Sequence, residues 1–456
     1  MAGRFATTHL SRRSWSSASY KPAAARSNTS GQPGVARDAG RFFSLLDERL
    51  KLGAEGYSPR ILQKIEFAGA NEGSFVQASR ALETLAEFSI SAKHVQRITE
   101  RLGQERAWQR DLKVEAMKAS TLQPQYAQPP IVAAIHLDAG KVQLREDDGP
   151  PGVRAPHWAD TKVACCLTYT ARQSTEDPQP NPPAAFLDPP RVMRLCREME
   201  RVRSDPNDEP ATATPPPNDR PLLVEEQEVD RPARWVRTAV ATMESTEGFG
   251  WMVAAEAMLR GFYEAAKKAV VGDGGNWIGP LADLHFPGWV QVLDFLHLLA
   301  HLYAAATAAY RGQAQPAWRL YSCLLHAAWA GQVQKVIGLL EAESQRLGQP
   351  PPKASLDDPR RIVARCLAYV KTNAERMDYA RYRREGLPIS SAPIESLIKQ
   401  INQRVKATDK FWLETGVEAT LQVRAACLSE DDRAAEFHDH RPRTRAVGQK
   451  QLRAAA

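Results

Sequence analysis

Among its six cysteines (Cys165, Cys166, Cys196, Cys323, Cys366 and Cys427) the 456-residue chain has no Cys-x-x-Cys pair, so neither a zinc ribbon nor a dithiol redox centre is encoded. Most of the six lie in apolar stretches and read as reduced core residues of a protein inside the cell. No apolar run approaches the roughly 18 residues needed to cross a bilayer, which excludes a helical membrane anchor. A dinucleotide loop is also missing. Gly272, Gly274, Gly275 and Gly279 do not meet the G-x-G-x-x-G spacing, and Asp273 among them would repel a pyrophosphate. No acidic residue precedes Asp38. That opening stretch is rich in Arg, Ser and Ala, as organelle transit peptides are, but residues 1–41 read more simply as a disordered basic tail.

The length is about three times the ~150 residues of an average domain, so one polypeptide has room for a binding module and an enzyme. Lys and Arg number 60 against 53 Asp and Glu, a net charge of +7 that suits an anionic partner without specifying one.

Residues 42–124 read as a helical domain. Phe75, Ala78, Leu82, Leu85 and Phe88 recur at helical spacing, a Ser89-Ile90-Ser91 break follows, and Val95, Ile98 and Leu102 continue on a second helix that Ser91 can cap. The outward residues of that second helix, Lys93, His94, Gln96, Arg97 and Arg101, are polar or basic. The pair fits either a helix-turn-helix, with Ala92 to Leu102 entering a major groove, or an ordinary helical hairpin.

The segment 125–294 alternates strand and helix. IVAAIHLDAGKVQLRE suggests two strands joined by a tight D-A-G-K turn, and Lys162 to Thr170 suggests a third strand. A Pro-rich polar stretch over 173–231 reads as surface loop. Beyond it come a long apolar helix, the strand AVVGD, a helix around Trp277 to Leu284 and the strand WVQVLD, an order that implies a parallel pair with a right-handed crossover. Residues 295–385 read as an all-α insertion, 386–428 as the closing helices of the α/β core, and 429–456 as a disordered tail.

Asp138 and Asp273 each end an apolar strand, and the carboxyl ends of neighbouring parallel strands open on one edge where ligands bind. Glu395 falls in the first turn of PIESLIKQINQRVK, whose stripe Ile394, Leu397, Ile398, Ile401 and Val405 would dock the helix on the sheet. Three converging carboxylates make an all-oxygen site for Mg²⁺ or Mn²⁺, and two such ions roughly 3.5 to 4 Å apart activate an attacking oxygen and stabilise a leaving one.

GDGGNWIGPLADLHFPGWVQVLDFLHLLAHL and GLPISSAPIESLIKQINQRVKATDKFW resemble stretches of bacterial insertion-sequence DDE transposases of the Mutator-like superfamily. The shared features are the Asp273-Gly274 pair, the Asp294-Phe295-Leu296-His297 motif, Glu395 followed by Arg404-x-Lys406, and the Phe411-Trp412 close. IHLDAGKVQLRE resembles the segment that carries the family's first carboxylate, with Ala139 where the family usually has Gly. The resemblance covers about residues 60 to 430.

It implies a ribonuclease H-like α/β fold in which Asp138, Asp273 and Glu395 hold two Mg²⁺ or Mn²⁺ ions, nick DNA at the ends of a mobile element and join the freed 3′-hydroxyl to target DNA. It implies further that Asp294 and His297 contact DNA or position the scissile phosphate. The protein would act as a homodimer or larger homo-oligomer on the DNA of a bacterial cytoplasm. Asp294 and His297 read equally as a structural hydrogen-bonded pair. With His301 they also suggest a zinc cluster, but no Glu follows His297 as in the zinc-protease signature.

Lys399, Arg404, Lys406 and Lys410 could neutralise phosphates, or form a solvated face. Trp277, Trp289, Trp318 and Trp329 read as core, while Trp412 is the candidate to stack on a frayed base. The rival reading is a repurposed, catalytically inactive relative that binds DNA through the helix-turn-helix.

Overall fold

The computed structural model describes residues 56–145, 157–170, 173–203, 233–407 and 410–441. The basic stretch 1–41, much of the Pro-rich stretch and the last residues of the chain lie outside the described residues. No described helix is long and apolar enough to cross a membrane.

The centre is a five-stranded mixed sheet: β1 (Val132–Leu144), β2 (His157–Tyr169), β3 (Arg234–Thr242), β4 (Lys267–Gly272) and β5 (Val290–Leu293), in the spatial order β3-β2-β1-β4-β5. β1 pairs antiparallel with β2 and β2 with β3, whereas β1 and β4, and β4 and β5, run parallel. The side chains alternate as the period-two pattern demands. Val132, Ala134, Val163, Cys165, Ala269 and Val271 enter one core with the helices that follow β5; Ala133, Ile135, Leu137, Ala164, Cys166 and Val270 enter a second core on the opposite face. Apolar runs with no polar alternation are what a sheet covered on both faces requires.

β1 corrects the expected hairpin. It runs unbroken from Val132 to Leu144, with β2 paired along all of it, so Asp-Ala-Gly-Lys is strand and not a turn. A side chain at Gly140 would come within 2.8 Å of Thr161 Oγ1, which explains a glycine in strand interior without a reversal of the chain. The Pro-rich stretch likewise contains a helix, Pro189–Arg203 (α4), whose Val192 and Cys196 are buried in the larger core. β3 has no counterpart in the expected elements; its apolar half, Ala239 to Ala241, is short and follows a charged start.

Three helices precede the sheet: α1 (Pro59–Asn71), α2 (Phe75–Ala86) and α3 (Ala92–Lys118). Ser91 caps α3 by accepting from the His94 N–H, as expected. α3 has 27 residues and extends far beyond Leu102. It lies against α13 (Glu414–Leu428), where a side chain at Gly103 would collide with the Ala419 backbone. α5 (Thr246–Leu259) and α6 (Ile278–His285) cover the second face of the sheet.

The segment between β5 and the last core helices is all helical: α7 (Phe295–Ala309), α8 (Ala314–Trp329), α9 (Val333–Leu347), α10 (Pro359–Thr372) and α11 (Tyr379–Arg384). It is continuous with the larger core through Phe295, Leu298, Leu299 and Leu302, and so is no separate unit. α12 (Ala392–Val405) follows.

The expected disordered tail instead begins with a helix, α14 (Arg433–His440), because its Phe437 packs in the N-terminal helical core and its His438 ring bonds Glu66 at 2.5 Å. The six cysteines are free, four of them buried, Cys427 partly so and Cys323 exposed.

Candidate metal centre at the strand ends

The register of the parallel strands sets the site. Leu137 pairs with Gly272 and Gly272 with Leu293, so Asp138, Asp273 and Asp294 are each one residue past the same row on three neighbouring strands. Adjacent strands lie about 4.8 Å apart, which brings three carboxylates together at one sheet edge. Asp138 and Asp273 continue the series that faces the larger core (Val132, Ala134; Ala269, Val271), the face on which α12 lies.

Each acid is held by a local device. Asp273 accepts the Gly275 N–H on Oδ1 at 2.9 Å, and its carbonyl accepts from the Tyr369 hydroxyl at 2.7 Å. Gly274 takes the left-handed backbone (φ +83°) needed to turn the chain away, which selects glycine after the aspartate. Asp294 caps α7, its Oδ2 accepting from the backbone N–H of His297 at 2.9 Å and from His297 Nδ1 at 2.5 Å. Its Oδ1 accepts from the Ser391 N–H at 2.6 Å, and its backbone N–H donates to Gly272 at 2.8 Å. One aspartate thus joins β4, the start of α7 and the start of α12. Ser391 Oγ then donates to Glu395 Oε1 at 2.8 Å. Ser391, at the start of α12, makes no side-chain cap bond to the helix backbone and instead orients an acid one turn ahead.

Oxygen and nitrogen atoms of Asp294, His297 and Glu395 lie within 4.8 Å of one another, and all three side chains are buried, so this cluster could hold a metal ion. Asp138 is alongside. Its Oδ1 accepts from the Ala139 N–H at 2.7 Å, whereas Oδ2 is buried and none of the described residues donates to it. Burial first, then the Asp273 charge, push its carboxyl up to about 7, with Glu395 adding to the rise. Glu395 is raised by burial and by Asp294.

His297 goes the other way from what burial dictates. The hydrogen bond and charge of Asp294, helped by Asp273 and Glu395, lift its imidazole to about 9, and Asp294 stays below its usual range because the His297 bond and charge outweigh its own burial. Four acids crowding one imidazole, in a place largely closed to water, is a field that a cation relieves.

Asp138 and Asp273 end neighbouring strands on one sheet edge and Glu395 acts electrostatically on Asp138, but among the described residues the side chains whose ligand atoms come within 4.8 Å of one another are Asp294, His297 and Glu395, not the three expected carboxylates. His301 does not join: it stacks on Tyr369 with ring centroids 4.1 Å apart. His136 carried no sequence signal, yet it lies on the same face two residues before Asp138. It is fully buried, pushed down to about 4 by that burial, and its Nε2 is 2.9 Å from the Tyr169 hydroxyl.

The expected DNA-contacting residues divide. Lys399 is exposed on α12, and Lys406 is half-buried with Nζ 5.8 Å from the Trp158 ring. Lys93 and Arg97 are exposed on the first turns of α3, and Arg101 is half-buried, 3.4 Å from Glu105. Arg404 and Trp412 are corrected.

Arg404 is 2% exposed, gives its Nε–H to the Gly69 carbonyl at 2.7 Å, and lies 4.4 Å from the Phe75 ring and 5.1 Å from the Trp412 ring. Trp412 is buried and donates its indole N–H to Val405 at 2.8 Å, so it is not free to stack on a base. Both fasten α12 to the N-terminal helices, because α1 and α2 cover the end of α12 that the sequence leaves looking solvated. Lys410 donates to the Arg404 carbonyl at 3.0 Å. Set against known proteins, the chain matches no protein-family model and none of the curated proteins.

Proposed function

We propose that this protein is a divalent-metal-dependent DNA-strand transferase, a DDE transposase with a ribonuclease H-like core and a likeness to the Mutator-like insertion-sequence enzymes. It would cut DNA at the ends of an element and join the 3′-hydroxyl ends to target DNA, in a homodimer or larger assembly that holds two ends at once. The reading is carried by one observation: the shared register row of Asp138, Asp273 and Asp294, with Glu395 brought against it from a helix more than a hundred residues further along the chain.

The donor set fits Mg²⁺ or Mn²⁺. Hard divalent ions take oxygen ligands, and Asp138 Oδ2 is a buried acceptor with no hydrogen bond of its own. Asp138, Asp273 and Glu395 would hold the ions, which when bound supply Lewis-acid stabilisation to the attacking and leaving oxygens of an in-line displacement.

The remaining work belongs to the chain. Ser391 fixes the Glu395 carboxylate, Asp294 fixes the His297 ring, and the Gly274 turn holds Asp273 at the edge. Lys399 on α12, Lys406 directly after it, and Lys93 and Arg97 on α3 are the cations that would meet a DNA backbone, with Arg101 already engaged by Glu105.

The test is nicking of a plasmid carrying the DNA that flanks the gene, in Mg²⁺ or Mn²⁺. Wild type should cut, and Asp138→Asn, Asp273→Asn and Glu395→Gln should each lose on the order of 10²–10³-fold or more, the scale on which loss of a group stabilising the transition state is felt. A wild type that binds this DNA but never cuts it would replace the enzyme with a DNA-binding relative.

A further inference from the structure

The sequence leaves Asp294 and His297 as a structural pair, a contact to DNA or, with His301, part of a zinc cluster, and His301 stacks on Tyr369 instead. From the geometry of the other two we propose that His297 is itself a metal ligand, through Nε2, so that the centre has a mixed nitrogen and oxygen donor set. The inference rests on the metal-centre reading above and specifies it.

Three observations carry it. First, both oxygens of Asp294 are engaged: Oδ2 accepts from both the backbone and Nδ1 of His297, and Oδ1 accepts from Ser391. It lies near enough to act as a ligand, but both oxygens are already engaged by hydrogen bonds, three in all, and two of these hold His297, so its main work is to orient its neighbour. Second, a carboxylate on one ring nitrogen is the arrangement that fixes a metal-binding histidine in its tautomer and aims the other nitrogen outward. Nε2 of His297 hydrogen-bonds to none of the described residues. Third, the ring is among acids that could share an ion with it. Glu395 has a ligand atom within 4.8 Å, and Asp138 and Asp273 are close enough to interact with its charge. A purely structural histidine needs a partner on one nitrogen and apolar cover on the rest; this ring has Glu395 close by and the charges of Asp138 and Asp273 acting on it.

An imidazole changes which ion the centre favours. Mg²⁺ prefers oxygen and keeps its waters, whereas imidazole suits first-row transition ions, Zn²⁺, Cu²⁺, Fe²⁺ and Ni²⁺ most and Mn²⁺ at the weak end of that series. Asp138, Asp273, Glu395 and His297 together should therefore bind Mn²⁺ more tightly than Mg²⁺ by more than an all-oxygen set would. Asp294 contributes from behind the ring.

The probe is Mn²⁺ alone, added to the metal-free full-length protein and followed by electron paramagnetic resonance and by titration with Mg²⁺ as competitor. Wild type should bind Mn²⁺ and show the electron-spin-echo modulation of a directly bound ¹⁴N. His297→Gln should lose that modulation. Asp294→Asn, which leaves the ligand but misorients it, should weaken Mn²⁺ binding by about 10–100-fold, the usual cost of removing such a partner. Thermal melts of both variants establish that they fold, and the nitrogen signal of the wild type needs no variant at all. Mn²⁺ bound with no nitrogen modulation and no change in His297→Gln overturns the inference and leaves the carboxylate centre standing. Failure of the wild type to bind Mn²⁺ or Mg²⁺ overturns both together.

Discussion

The two ends of α12 bury charge in opposite ways. At its start, Glu395 lies among Asp138, Asp273 and Asp294, like charges gathered around a single imidazole, and one carboxylate oxygen has no donor among the described residues. At its end, Arg404 forms no ion pair with any described residue and is held by the Gly69 carbonyl and two aromatic faces, its Nη2 buried without an acceptor among the described residues; burial first, then Arg424, bring it down to about 10 against a smaller opposing pull from Glu100. Both are costly arrangements. The first has a chemical remedy available, a divalent cation. The second is closed by neighbouring helices and serves to fasten one part of the chain to another. Burial of a charge alone therefore does not mark function; what distinguishes the two ends is whether the remaining donors and acceptors point at a place where something else can bind.

The largest effect that would break this contrast is on stability against pH. In metal-free protein Asp138 ionises at about 7 when folded, against an ordinary value of 3.8, so between those values the folded state holds a proton that the unfolded state has lost. The stability this contributes is fully present below about 4 and is lost as pH rises through about 7. Asp138→Asn should abolish that slope and melt higher than wild type at pH 8 in chelator, by a margin of a few kcal/mol; Mg²⁺ or Mn²⁺ should stabilise wild type and not the variant. Equal melting of the two proteins at pH 8 would mean that Asp138 is not held at a cost.

Arg404 should behave in reverse. Arg404→Ala opens a cavity between Phe75 and Trp412 and should cost about 2–4 kcal/mol, while Arg404→Met, which keeps the volume and removes an uncompensated cation, should cost much less. Neither should alter the salt dependence of DNA binding, and a change there would return Arg404 to the DNA surface. Gly103→Ala comes next. The added methyl meets the Ala419 backbone, so α3 and α13 must move apart, at about 1–3 kcal/mol read from a denaturant midpoint. The smallest effects belong to the exposed cations. Lys399→Ala and Lys406→Ala should change stability by no more than about 0.5 kcal/mol, and each should reduce the slope of log affinity for DNA against log salt by about 1 if it meets a phosphate.

Much of the centre was legible in the sequence because its acids sit at chemically punctuated places. Asp273 ends an apolar run and precedes glycines, Asp294 ends another before a helix, and Glu395 follows a serine pair and a proline at a helix start. Those signals are local. The misreadings arose where the deciding neighbour was remote. Asp-Ala-Gly-Lys has the composition of a turn, and only the full pairing with β2 keeps it extended. Arg404 and Trp412 look solvated until α1 and α2 cover them, and Phe437 belongs to a core nearly four hundred residues earlier in the chain. α4 was hidden by the prolines around it, although its Val192, Cys196 and Met199 have the spacing of a buried helical face.

The shared row at the end of β1, β4 and β5 also makes the centre intolerant of length. Successive residues of a strand point to opposite faces, so deleting one residue between Val132 and Leu137, or within Lys267–Gly272, would turn the aspartate that follows toward α5 and α6. Conservative exchanges of the strands' apolar side chains leave the carboxylates where they are, whereas a single-codon loss on any of the three removes one from the cluster outright.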